Sequence, residues 1–178
     1  MKKTYLVQLI IDAMVIAFGL ILYLFPGACS LNPNAAFYIT MGIYAGLELA
    51  EYIFDRTRLE PLCMFFASGT AAFSGLVLRD YAANYVLSIT IAVWMLMYII
   101  IKMMSLGEID KRKTHLFMIR LLCMSAFTII GIIVSMNIYF RIDAIGFMLA
   151  LLYLSYGAIE IVGDFLSYLS EDVKFIKE

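Results

Sequence analysis

The string Gly19-Leu20-Ile21-Leu22 recurs as Gly75-Leu76-Val77-Leu78 and again as Gly131-Ile132-Ile133-Val134, with a spacing of 56 residues each time. A fixed period marks a repeated supersecondary unit. Each copy falls in a long apolar stretch, and six such stretches fill the chain, at 5–25, 36–54, 61–78, 83–104, 115–138 and 144–166. About 20 apolar residues suffice to cross a ~30 Å hydrocarbon layer. One period therefore accommodates two membrane-crossing helices. The fold class expected is all-α, a polytopic membrane protein of six transmembrane helices in three repeated hairpins. The hairpins span about 5–58, 59–113 and 114–170 of a single transmembrane domain, 1–178.

Composition supports this reading. The chain is 64% hydrophobic and 15% charged with a mean hydropathy of +0.94, against about 45–50% apolar and 25% charged in soluble domains. No basic tract interleaved with aromatics points to nucleic acid. The first apolar run carries Gln8 and Asp12 and is long for a signal peptide, so it reads as an uncleaved first helix.

Sidedness follows from Lys and Arg in the short loops. Ten fall on one side, including Arg56, Arg58, Lys102 and Lys111-Arg112-Lys113; Arg79 and Arg141 fall on the other, and Arg120 lies within a helix. Both termini are expected in the cytoplasm. Cys29, Cys63 and Cys123 fall at different depths and read as unpaired thiols. Tyr23, Tyr38, Tyr81 and Tyr85 fit an interfacial belt. Met95, Met97, Met103 and Met104 read as lipid-facing or gap-filling.

Small residues at four-residue spacing, Gly42, Gly46 and Ala50 on helix 2 and Ala67, Ala71 and Gly75 on helix 3, predict close helix packing. Gly19, Gly75 and Gly131 of the repeated string join them as packing positions. Helix 2 is also a candidate surface for a homo-oligomer or a membrane partner.

An ionisable residue inside a membrane helix is a functional candidate by default. Asp12, Glu48, Glu51, Arg120 and Glu160 all count to the inner third of the bilayer and are expected to form one buried polar layer. Asp55 and Asp164 are expected at its cytoplasmic edge. The layer respects the repeat, because Tyr44 and Glu48 recur two periods on as Tyr156 and Glu160, while the middle copy has Ile100 and Met104. One reading has Arg120 pairing with one or more of the acids to lock the bundle. The other notes that the deep acids outnumber Arg120 and that like charges in low dielectric resist joint ionisation. Such a layer holds protons and packs more tightly on acidification. His115 reads as interfacial, and no nucleophile, metal-ligand or phosphate-loop motif occurs. No catalytic residue, cofactor or metal is expected.

The string 19–27, Gly-Leu-Ile-Leu-Tyr-Leu-Phe-Pro-Gly, followed by a helix with Gly42 and Gly46, resembles the repeat of the HdeD-like family. These are small bacterial inner-membrane proteins linked to acid resistance, built of helical hairpins of unknown biochemical activity. The proline of that string is kept only in the first copy, Ala82 and Ile138 standing one and two periods later. The resemblance implies a multi-pass, non-enzymatic inner-membrane protein of acid or envelope stress. Two alternatives are a small proton- or cation-coupled transporter or channel, and a membrane subunit docking a partner through helix 2 and Lys111-Arg112-Lys113.

Overall fold

The computed structural model describes residues 3–25, 33–54, 56–77, 83–106, 114–140 and 145–175, the side chains of 3–7, 33, 83, 105, 106, 114–116, 164 and 166–175 excepted. The expectations for Cys29, Asp55, Tyr81, Arg79, Arg141, the Lys111-Arg112-Lys113 loop, and the side chains of His115 and Asp164 lie outside the described residues. The described residues are all-α, in six helices: α1 Lys3–Leu24, α2 Pro33–Phe54, α3 Glu60–Val77, α4 Ala83–Leu106, α5 Thr114–Phe140 and α6 Ile145–Phe175. Their starts are legible locally. Pro33 opens α2, where its missing N–H costs nothing; Glu60 and Pro61 open α3, with the carboxylate at the positive end of the helix dipole.

Among the described residues, four helical stretches are long and apolar enough to cross a membrane: Glu60–Val77, Asn84–Met104, Phe117–Phe140 and Ile145–Gly163. The described apolar part of α1, Gln8–Leu24, is shorter, and α2 with Glu48 and Glu51 is not among the four. Helices of this kind suit a membrane-embedded protein.

The packing departs from the order of the chain. The helix α1 packs chiefly on α6 and touches α2 only slightly; α2 packs chiefly on α3, and α4 on α5. Each odd helix thus lies against the even helix preceding it around the bundle, with α6 preceding α1. The glycines of the repeated string sit in these seams. A Cβ on Gly19 would stand 3.1 Å from the backbone nitrogen of Leu154 and from the Tyr153 Cβ on α6. One on Gly75 would fall on the Tyr38 ring of α2, and one on Gly131 on the Met95 sulfur of α4. Small residues permit such approach where packing, not hydrophobicity, joins helices.

The odd helices present the same stripe in each copy. Asp12, Val15 and Gly19 of α1 correspond at 56 residues to Ser68, Ala71 and Gly75, then to Met124, Phe127 and Gly131. Eight of the nine are buried, Gly75 being intermediate. The i, i+3, i+7 spacing is one helical face, and it points inward three times.

The even helices form the inner part of the bundle. Of the spans in α4 and α6, 44% each is buried, against 22% in α5 and 28% in α3. Serines clasp α4 to α5: Ser88 Oγ donates to the Ser135 carbonyl at 2.8 Å and Ser135 Oγ to the Ser88 carbonyl at 2.9 Å. Trp94 Nε1 donates to Ser68 Oγ at 3.1 Å, tying α4 to α3.

The expectation of close packing at Gly42 and Gly46 needs correction. Gly46 has no atom of another helix within 4 Å of a built Cβ, and Gly42 only the Ala72 Cβ at 3.8 Å. The reason is rotation: α2 turns Tyr44, Ala45 and Glu48 inward, leaving Gly42 and Gly46 on its exposed face. Of the methionines, Met95 is buried, whereas Met97, Met103 and Met104 are exposed.

Candidate functional site

At one end of the bundle, α1, α2, α3, α4 and α6 bring polar side chains together around a cavity of about 20 Å³, room for a single water. Asp12 of α1, Glu48 and Glu51 of α2 and Glu160 of α6 line it, all at most 8% exposed. The structure therefore assembles four of the five residues expected in a buried polar layer.

Arg120 is the exception. Among the described residues it makes no ion pair with Asp12, Glu48, Glu51 or Glu160 and does not line the cavity. Its Nε and Nη2 lie instead 3.8 Å from where a Cβ on Gly163 would stand. The expected pairing of Arg120 with this layer is corrected accordingly. Among the described residues, the cations that form ion pairs in the cluster are Lys102 and Arg58.

Lys102 Nζ bridges two carboxylates, Glu60 at 2.6 Å and Glu160 at 2.8 Å. Arg58 reaches Glu51 at 3.3 Å and Glu60 at 3.4 Å. Gln8 Nε2 donates to Glu51 at 2.9 Å, and the Tyr98 hydroxyl donates to Glu160 at 2.5 Å. These bonds form one chain, Tyr98–Glu160–Lys102–Glu60–Arg58–Glu51–Gln8, that ties α4, α6, α3, α2 and α1 together. Buried charges persist only when paired and hydrogen-bonded in this way.

Above the ions stands an aromatic floor. The Tyr44 and Tyr156 hydroxyls hydrogen-bond each other across α2 and α6, and their rings meet edge to face with centroids 5.7 Å apart. Tyr98 packs against Tyr156 at 5.3 Å and Phe127 at 5.0 Å, and Trp94 against Tyr156 at 5.4 Å. Tyr hydroxyls need a partner when buried. Here they point to one another and to the carboxylates, so the rings seal the ionic cluster from the aliphatic half of the bundle.

The arrangement is threefold, with a slip. Tyr44 and Glu48 have their counterparts on α4 at Tyr98 and Lys102, 54 residues on, and on α6 at Tyr156 and Glu160, a further 58 on. The helix α4 is out of the 56-residue register by two positions. A search at strict period reaches Ile100 and Met104, both exposed, and misses the buried pair. The available signal was the motif Tyr-x-x-x-charged, present on every even helix and on α6 a second time at Tyr168 and Asp172. By sequence Lys102 counts with the cations of the short loops, and Glu60 falls just outside the 61–78 apolar stretch. The tertiary fold draws both inward.

Glu48 differs from its neighbours. It is 8% exposed and, among the described residues, makes no ion pair; the Tyr44 hydroxyl lies beside it. Among the described residues, no group of three or more His, Cys, Asp or Glu is arranged to hold a metal ion. The described cysteines Cys63 and Cys123 are free thiols. No protein-family model, no curated protein and no solved structure matches the chain.

Proposed function

We propose that the chain is a non-enzymatic, six-span protein of the bacterial inner membrane, with both termini cytoplasmic, whose buried carboxylate cluster exchanges protons under acid or envelope stress. The observation that carries this reading is Glu48, a buried carboxylate with no ion pair among the described residues, in a cluster of five carboxylates and two cations. Such a group is where a proton can enter without breaking an ion pair. The acids of α1 and α2 face this cluster and not lipid, which is why both helices are read as spans despite their polar content. The HdeD-like resemblance is the ground for the stress association.

The sign of the pH effect follows from comparing wild type with Glu48→Gln, which mimics the protonated acid. Any stability difference between them at neutral pH closes as the pH falls and Glu48 itself becomes neutral. Thermal unfolding in lipid across a pH series reads this directly. Infrared difference spectroscopy adds a second test, a carboxylic-acid band in acidified wild type that Glu48→Gln removes. A stability gap independent of pH, with an unchanged band, overturns the proposal. Labelling of Cys63, on the cytoplasmic half of α3, tests the orientation: modification only from outside reverses it.

A further inference from the structure

Around Glu48 the two directions along the bundle differ. In one direction the buried Asp12 and Glu48 give way to the partly exposed Lys102 and Glu60, and then to Arg58, 36% exposed in the α2–α3 connection. In the other, the Tyr44–Tyr156 hydroxyl pair, Tyr98 and Trp94 close over the carboxylates. Beyond them Phe37, Leu87, Ile91, Leu149 and Leu152 have no exposed surface.

The cavity beside Glu48 measures about 20 Å³, against the roughly 10–15 Å³ that one water requires. It lies on the seam between α1 and α2, which touch only slightly. Gln8 and Asp12 line it from one side and Glu48 and Glu51 from the other. Gln8 spans the seam, its Nε2 donating to Glu51 at 2.9 Å. Its Oε1 is buried and, among the described residues, accepts no hydrogen bond. A buried acceptor left unmet is costly, and a water in the cavity would meet it.

We propose, resting on the reading of Glu48 as the proton-exchanging group, that this cavity is a relay site for a single water positioned by Gln8, through which protons reach Glu48 from the Arg58 end of the bundle alone. The water donates one hydrogen bond to Gln8 Oε1 and another to a Glu48 carboxylate oxygen. A proton arriving from the open end makes it a hydronium, which passes a proton to Glu48 and is water again; release runs the same steps in reverse. The titratable and charged groups around Glu48 are Tyr44 and Glu51 of its own helix, Asp12 of α1, Glu60 of α3, Lys102 of α4, and Tyr156 and Glu160 of α6, with Arg58 beyond Glu51. Arg58 and Lys102 pair with Glu51, Glu60 and Glu160 as carboxylates, so a proton does not lodge on those three. Closed on its other side, the site reads the acidity of one face of the membrane and passes no proton across.

Time-resolved infrared spectroscopy of the full chain in lipid, after a downward pH step, follows the carboxylic-acid band that Glu48→Gln removes. Gln8→Met, similar in length but without the acceptor, should slow its appearance about tenfold, one hydrogen bond's worth of barrier. Gln8→Asn, which keeps the amide, should fall between. An unchanged rate in Gln8→Met overturns the relay, whether or not the midpoint pH of the band moves. Vesicles holding a trapped pH dye give a second test, on wild type alone. After an external acid step their interior should acidify no faster than that of protein-free vesicles; faster acidification opens the route at both ends and overturns the one-sided site. Either failure leaves Glu48 as the proton-exchanging group, whereas absence of a Glu48-dependent band removes that reading and this one together.

Discussion

Lys102→Met is the perturbation that most directly tests the ionic cluster. The Lys102 ammonium is the bridge between Glu60 and Glu160, at 2.6 and 2.8 Å, with the three side chains 10–16% exposed. Removing one partner of a buried pair costs about 3–5 kcal/mol, because the remaining charge is left uncompensated. Two features hold the value toward the lower end. Glu60 keeps Arg58 at 3.4 Å, and Glu160 keeps the Tyr98 hydroxyl at 2.5 Å. Methionine also preserves most of the volume of the lysine stem. The expected loss is therefore about 3 kcal/mol, a factor of about 100 or more in the unfolding equilibrium. Equilibrium unfolding in mixed micelles, where denaturing detergent is titrated against a mild one, measures it. The double variant Lys102→Met with Glu160→Gln should recover part of the loss at neutral pH, because a neutral amide no longer needs the ammonium. A single variant within about 1 kcal/mol of wild type, the ceiling for exposed pairs, would show that water screens the bridge and that the cluster is not a buried one.

Three further outcomes follow from the packing. Tyr156→Phe removes the hydroxyl pair and leaves Tyr44 only the Glu48 carboxylate, and should cost about 1 kcal/mol; a double-mutant cycle with Tyr44→Phe that shows no coupling refutes the hydroxyl pair. Gly19→Ala places a methyl 3.1 Å from the Leu154 nitrogen and should destabilise by about 1–3 kcal/mol through overpacking. Gly46→Ala meets nothing within 4 Å and should stabilise by up to about 1 kcal/mol through helix propensity, so equal effects at the two glycines would refute the seam between α1 and α6. Ser88→Ala removes one half of the reciprocal clasp with Ser135 and should cost about 1 kcal/mol, checked by the same unfolding assay.

The candidate site was half legible in advance. Depth counting along each helix picked out Asp12, Glu48, Glu51 and Glu160, because a carboxylate well inside an apolar run has few places to go but the bundle interior. It failed for Lys102 and Glu60 because both stand near helix ends, where a long side chain can turn either to water or inward, and neighbouring helices decide which. Arg120 was misassigned for the opposite reason. Its depth matched the acids, but its direction around α5 aims it at Gly163, and depth along a helix carries no information about direction relative to other helices.

The linear sequence by itself determined where the apolar segments lie and the 56-residue recurrence of the string at Gly19, Gly75 and Gly131. Both are read along the chain without reference to any neighbouring helix. Only the tertiary structure decided that α1 joins α6, that α4 runs two residues out of register, and that Lys102 therefore stands where the other two copies carry Glu48 and Glu160. Those are relations between segments distant in the chain. They depend on how side chains such as Tyr153 and Met95 fill the space over Gly19 and Gly131, and no period read along one strand of sequence contains that information.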